Sequence, residues 1–416
     1  MSYFADILST LFERASSLGR LSSRKQVPLE TLCHELLSSK GEVSGVTLAQ
    51  AILNSYDMLD DAGKLAFFSL LRDEFDLDTD VAKMALANYQ QNPDKKSYAA
   101  FMHTVDPRRQ ELVRRLNQVP GATAQLVAMR QDLLRLVQEN PDIAIVDYDL
   151  KNLFLSWFNR GFLVIRPINW TSPAHILEKI IAYEAVHEID SWDDLRRRLQ
   201  PEDRRCFAFF HPSMPDEPLI FVQVALTASI SNSIQEILSD DREAIIADKA
   251  TTAIFYSISN CQQGLAGISF GNSLIKTVVQ TLSRELPGLS VFATLSPIPG
   301  FLRWCNNMNI QTDDLDADDR RCLAAHYLLN AKRADNRPID PVARFHLNNG
   351  ARVQAIHADA DISAKGMQQS AGLMVNYLYD LPHLAENHED FAANNTVSAS
   401  NDVRNLASEA KKIMQV

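Results

Sequence analysis

The chain has little of what would tie it to a membrane, a disulfide framework or a resident metal. No stretch approaches the roughly 18 consecutive apolar residues that a spanning helix needs. Its five cysteines, Cys33, Cys206, Cys261, Cys305 and Cys322, are odd in number, and no Cys-x-x-Cys occurs. That excludes a zinc ribbon or a disulfide scaffold and fits free thiols in a reducing compartment. The ten histidines are scattered. His34 and His187 each precede a glutamate, but neither has a second histidine four residues on, so no metal site is expected. Basic residues are outnumbered: 41 Lys and Arg stand against 52 Asp and Glu, a formal charge of −11. Nucleic acid and anionic membranes are therefore not expected partners, although a local basic pocket for a phosphorylated ligand remains open. Met1-Ser-Tyr-Phe-Ala-Asp6 lacks the basic and apolar regions of a secretory signal, and Ile413-Met-Gln-Val416 is no peroxisomal address. The expected location is the cytoplasm.

What is present is an ordinary globular composition, 46% apolar and 22% charged over 416 residues. That length suits two domains. Residues 1–158 read as helical. Phe4, Ile7, Leu8, Leu11 and Phe12 share one helix face, as do Leu126, Met129, Leu133 and Val137. Asp60-Asp-Ala-Gly63 and Asn92-Pro93 punctuate the helices. From 159 to 416 the character changes. Gly161-Phe-Leu-Val-Ile-Arg166 reads as a buried strand. A helix over 173–183 follows, then a charged helical stretch over 191–205 whose arginines (196, 197, 198, 204, 205) read as a solvated face. Residues 218–226, 252–258 and 289–295 read as strands. A helix over 271–282 joins the last two as a βαβ unit. Arg352-Val-Gln-Ala-Ile356 reads as a further strand entered through Asn348-Asn-Gly350. Residues 386–401 read as a polar loop, and Val403, Leu406, Ala410 and Ile413 mark a last helix.

Three places could carry chemistry. Gln262-Gln-Gly-Leu-Ala-Gly-Ile-Ser-Phe-Gly271 links a strand to a helix. Its glycines allow close backbone approach, and the helix N-terminus offers free N–H groups, an arrangement suited to phosphate. A tight helix-entry turn explains the spacing equally well, and the Gly-Lys-Ser/Thr of a Walker loop is missing. Gly267-Ile-Ser-Phe-Gly271 also matches a nucleophile elbow. That motif needs a strand running straight into Ser269, and polar, Gly-broken residues intervene. Thr294-Leu-Ser-Pro-Ile-Pro-Gly300 ends a strand, and its prolines stiffen the exit around Ser296. A rigid turn accounts for that spacing as well. His346 lies between Phe345 and Leu347, where a lone histidine is usually structural.

Taken together, Phe255-Tyr-Ser-Ile-Ser259, Gln262-Gln-Gly-Leu-Ala-Gly267, Leu295-Ser-Pro-Ile-Pro-Gly-Phe301, Phe345-His-Leu-Asn-Asn-Gly350 and Gly372-Leu-Met-Val-Asn-Tyr377 resemble the malonyl-CoA decarboxylases. Trp170, Ser172-Pro173 and Glu184-Ala-Val-His187 also resemble family positions. The likeness runs in family order over most of residues 153–380. It implies a helical oligomerisation domain (1–158), forming a dimer or tetramer, and an acetyltransferase-like (GNAT) mixed-sheet catalytic domain (159–416). By the same likeness, Ser296 is the catalytic serine and His346 the proton donor, and Tyr379 and Ser257 complete the pocket. Gln263, Gly264, Ala266, Gly267, Ile268, Ser269, Phe270, Gly271 and Asn272 would then bind malonyl-CoA. Ser269 stands where animal members carry glutamate, so no catalytic role passes to it. The implied reaction turns malonyl-CoA into acetyl-CoA and CO2 with no cofactor and no metal. An acyl-CoA N-acyltransferase using the same loop and a thioesterase using Ser269 remain alternatives.

Overall fold

The computed structural model describes residues 27–38, 41–268, 271–312 and 314–414. The expected helix face from Phe4 to Phe12 lies outside them, as do Ser269 and Phe270. The chain divides into two compact units, Met1–Leu150 and Lys151–Val416. The division falls inside the helix Ala144–Trp157, a few residues before the 158/159 boundary read from sequence.

In the first unit every described element is helical. The aspartates that punctuate the sequence cap the helices. Asp60 accepts from Gly63 N–H, Asp78 from Asp80 and Val81, and Asp94 from Ser97. Each satisfies amides that a helix start leaves open. Leu126, Met129 and Leu133 are buried as their spacing predicts, with Phe67, Phe68, Phe75, Leu112 and Leu116. Buried Arg109 is held by Asp149 at 2.5 Å and Asp76 at 2.9 Å.

The second unit is built on one mixed sheet. Its strands are β1 (Val164–Ile168), β2 (Arg204–His211), β3 (Met214–Thr227), β4 (Thr252–Asn260), β5 (Val291–Thr294), β6 (Ser296–Pro297), β7 (Arg352–His357) and β8 (Met374–Leu378). Their order is β1-β2-β3-β4-β5-β8-β6, with β7 also on β8. All pairs are antiparallel except β4 and β5, which the helix Gly271–Glu285 joins as the expected parallel βαβ unit. An antiparallel sheet with one central parallel pair is the acetyltransferase-like order that the resemblance implied.

Four sequence expectations change. β1 is an exposed edge strand, which is why Pro167 is tolerated within it. The arginine-rich stretch is split: Trp192–Leu199 is helical, and Arg204 opens β2, a strand the charge pattern hid. Arg198 and Arg204 are buried. Arg198 donates to the carbonyls of His187 and Glu188, and Arg204 to that of Ile237, so neither belongs to a solvated face. Finally, Leu384–Asn394 is a helix anchored by buried Phe391, where a polar loop was expected.

On one sheet face, Ile176, Leu177, Ile180, Leu195 and Leu199 pack on Cys206, Ala208, Phe210 and Phe221. Farther along the same face, Ile234 and Ile237 cover Ala225, Ile254, Tyr256, Ala293, Leu295 and Met374. Side chains alternate along a strand, so Thr294, Ser296 and Tyr377 belong to the opposite face.

Candidate active site

β4 and β5 pair from Thr252/Val291 to Phe255/Thr294, and Leu295 N–H still reaches the Phe255 carbonyl at 3.1 Å. No pairing between the two strands extends beyond that point. β4 runs on to Asn260, and Pro297 and Pro299 follow Ser296, with no N–H to donate. The parallel pair therefore parts where Ser296 stands.

Ser296 meets His346 there. Its hydroxyl lies 3.2 Å from His346 Nε2, although 50 residues separate them. His346 occupies the last turn of the helix Pro341–Asn348, which Asp340 caps by accepting Ala343 N–H at 2.7 Å. Gly350 follows at φ 84°, where a Cβ would collide with the Leu384 carbonyl, so the turn requires glycine. The other ring nitrogen, Nδ1, lies 2.7 Å from Tyr379 Oη. The imidazole stacks on Tyr377, with ring centroids 4.5 Å apart. Ser296 Oγ also donates to Thr294 Oγ1 at 2.9 Å, and the Tyr377 amide donates to the same oxygen at 3.1 Å.

The cluster is dry. His346 is 2% exposed, and burial pushes its pKa down to about 3, so the ring is neutral at physiological pH. Burial also raises the Tyr379 phenol well above its ordinary value. What results is an uncharged chain of hydroxyl, imidazole and phenol, able to bind an anion and pass a proton.

Tyr379 also lines a groove of about 470 Å³ with Ile275, Lys276, Val279, Gln280, Ser283 and Arg284 of the helix Gly271–Glu285. That helix follows the glycine loop in the chain, and Tyr379 joins the groove to the imidazole. Within the loop, Gln263–Leu265 makes one 3₁₀ turn, and Gly264, Leu265 and Ile268 are buried. Gly267 takes φ 77°, which glycine accommodates without strain. Ala266 N–H bonds to the Gln263 carbonyl. Gly271 opens the helix and Asn272 follows it. β4 ends at Asn260, so no strand runs straight into the Gly267–Gly271 motif. A larger cleft of about 580 Å³, lined by Arg321, His357, Asp359 and Asp402, contains none of Ser296, His346 or Tyr379. Glu30, His34 and Glu74 bring three potential ligand atoms within 4.8 Å of one another, but they belong to the first unit.

Ser257 is not brought to this chain. A bulge at Tyr256 interrupts the β3–β4 register between Gln223/Ser257 and Val224/Phe255. Phe255 keeps the Ser296 face, its ring 6.1 Å from that of Tyr379. Ser257 turns to the other face, where its hydroxyl bonds to both Glu184 carboxylate oxygens at 2.7 Å. Gln223 at 2.7 Å and Ser259 at 3.3 Å donate to the same carboxylate. Sequence reasoning missed Thr294 and Tyr377 as neighbours of the site. The period-two spacing of Thr294 from Ser296 and of Tyr377 from Tyr379 was the available signal.

The sheet order and its parted strands put the second unit in the acetyltransferase-like class. Comparison with known proteins narrows the class. Residues 75–158 match the malonyl-CoA decarboxylase N-terminal domain, and residues 161–323 and 309–416 match its C-terminal domain. The mitochondrial malonyl-CoA decarboxylase of Anser anser anser is 34% identical, over 79% of this chain and 76% of its own. Crystal structures of malonyl-CoA decarboxylase from Rhodopseudomonas palustris and Agrobacterium vitis both superpose with a TM-score of 0.85. The first is 46% identical and is matched over 92% of this chain and 100% of its own. The second is 48% identical, over 91% and 99%. The chain belongs to the malonyl-CoA decarboxylase family.

Proposed function

We propose that this chain converts malonyl-CoA to acetyl-CoA and CO2. The observation that carries the reading is the buried Ser296–His346–Tyr379 chain at the parting of β4 and β5. The chemistry asks for little else. When the carboxylate leaves as CO2, its electron pair flows into the thioester carbonyl, so the substrate is its own electron sink and no cofactor is required. Ser296 anchors the carboxylate by turning its hydroxyl proton from Thr294 to the incoming anion. His346 gives its Nε2 proton to the α-carbon of the enolate while Nδ1 takes the proton of the Tyr379 hydroxyl that orients the ring, and solvent in the groove restores the phenol. Departing CO2 is neutral, so a dry site favours its release over retention of the charged carboxylate. The glycine loop takes the phosphates, and Lys276 and Arg284 supply positive charge along the groove.

The test is a product assay with purified protein, malonyl-CoA and no amine acceptor. Release of CO2 with acetyl-CoA supports the reading. Intact malonyl-CoA would point to an N-acyltransferase or a binding protein, and free CoA thiol with malonate to a thioesterase.

The helical unit serves self-association in this reading, as a dimer or tetramer. The helix Thr79–Gln91 buries none of its residues, and Val81, Met84, Tyr98 and Met102 leave apolar surface uncovered on it and on Lys95–Val105. Sedimentation of the full chain measures that state. Among the described residues no helix is long and apolar enough to cross a membrane. The five cysteines are free and buried, which supports a reducing compartment such as the cytoplasm.

A further inference from the structure

We infer that Thr294 fixes which ring nitrogen of His346 carries its proton, acting through Ser296. The inference rests on the decarboxylase reading only for its effect on turnover. A serine hydroxyl has one proton to give. Here Ser296 Oγ gives it to Thr294 Oγ1, at 2.9 Å. Toward His346, 3.2 Å away, Ser296 is then left to accept, so the proton of the neutral imidazole resides on Nε2. Nδ1 is left bare and accepts the Tyr379 hydroxyl at 2.7 Å.

The threonine is itself held from two directions. Its Oγ1 takes the Tyr377 amide at 3.1 Å, and its carbonyl takes the Asn376 side-chain amide at 2.7 Å. Both donors come from β8. Thr294 therefore presents its oxygen to Ser296 at a fixed place. The consequence is directional: the nitrogen facing Ser296 arrives at the reaction already carrying the proton that the enolate needs. With the proton on Nδ1, the ring would face the enolate with a lone pair. Thr294 is thus a positioning residue, two steps from the chemistry.

Nitrogen-15 NMR of the full chain labelled in histidine reads the tautomer directly, with His346→Asn to assign the resonance. The wild type is expected to show a protonated Nε2 and a bare Nδ1. Thr294→Val should move the proton to Nδ1. It should also lower kcat about tenfold to hundredfold with KM within about threefold. Thr294→Ser should restore both. A wild type protonated on Nδ1, or a Thr294→Val chain with an unchanged tautomer, would overturn the inference. Should the valine variant fail to fold, Ser296→Ala leaves the Thr294–Tyr377 bond in place. That variant should show mixed tautomers, and a pure Nε2–H signal there would hand the role to Tyr379 and sink the idea. A tautomer that shifts as expected in a chain unable to release CO2 from malonyl-CoA would retire the decarboxylase reading alone.

Discussion

Two hydrogen-bonded clusters lie back to back on the sheet where β4 and β5 part, and they are made of different chemistry. On one face Ser296, His346 and Tyr379 form an uncharged chain with one bond per joint. On the other, the Glu184 carboxylate gathers Ser257, Ser259, Gln223 and the amides of Val186 and His187. The second cluster has more bonds and a charge, and is the easier to mistake for an active site. Yet every donor around Glu184 is already spent, so the carboxylate has been made into a fastener between the turn at residues 184–187 and β4. The first cluster is poor in bonds, dry, and open through Tyr379 to a groove. Capacity for chemistry follows groups whose single bonds can be exchanged for bonds to a substrate.

The comparison breaks most visibly through turnover. Ser296→Ala and His346→Asn should each lower kcat by at least about a hundredfold, the usual range for losing an acid–base group or a preorganised donor. Tyr379→Phe keeps the ring and loses only the bond to Nδ1, and should cost about tenfold. Each should cost about 1–3 kcal/mol of stability, too little to account for the loss of turnover. A collapse of turnover that tracks unfolding would remove the distinction between the faces.

On the opposite face the expected loss is in stability. Glu184→Ala strips the acceptor from two serines, one glutamine and two amides. Half-buried as the site is, water replaces part of it, and the net cost should be about 2 kcal/mol. Urea unfolding measures this, and turnover of the folded fraction should stay within about threefold. Normal stability with abolished turnover would move the chemistry to Glu184.

Much of the first cluster was legible through the family likeness, which rests on local strings, and not through spacing. Ser296 sits at a strand end marked by two prolines, and His346 just before an Asn-Asn-Gly turn. Short strings carry such positions intact. Apolar runs and the periodic helix between β4 and β5 showed a βαβ unit, and the family likeness supplied the acetyltransferase-like class. What escaped depended on partners far along the chain. β2 begins with two arginines, and only burial beneath the turn ending at Glu188 makes Arg198 a core residue. The bulge at Tyr256 has no signature in Phe255-Tyr-Ser-Ile-Ser259. One extra residue there turned Ser257 away from the site.

A third measurement sharpens the contrast through pH. An unfolded histidine titrates near 6.5, whereas His346 is held near 3 by burial. Between those values the unfolded chain binds a proton that the folded chain refuses. His346 therefore lowers stability as pH falls below about 6.5, by about 1.4 kcal/mol for each unit, until pH nears 3. Urea unfolding of the wild type and His346→Asn at two pH values isolates the effect. His187, pushed down to about 4, and Asp340, pushed up to about 6, are present in both chains and cancel. The wild type should lose stability relative to the variant as pH drops. A constant difference would mean that His346 is not dry.

The smallest expected effect is the most pointed. Ser257→Ala should leave kcat within about threefold of the wild type and cost about 1 kcal/mol of stability. Its hydroxyl makes short bonds to Glu184, and its nearest other hydroxyl partner is Ser259 at 3.4 Å, on that same face. Removing it leaves Glu184 with Gln223, Ser259 and two amides, enough to keep the carboxylate in place. The family likeness sets the opposite expectation, that this serine lines the pocket beside Ser296. The two differ over one physical point, whether the bulge at Tyr256 persists once substrate enters the gap between β4 and β5. A large fall in kcat with unchanged stability would mean that β4 straightens on binding and turns Ser257 through the gap, and the two faces would then be one site.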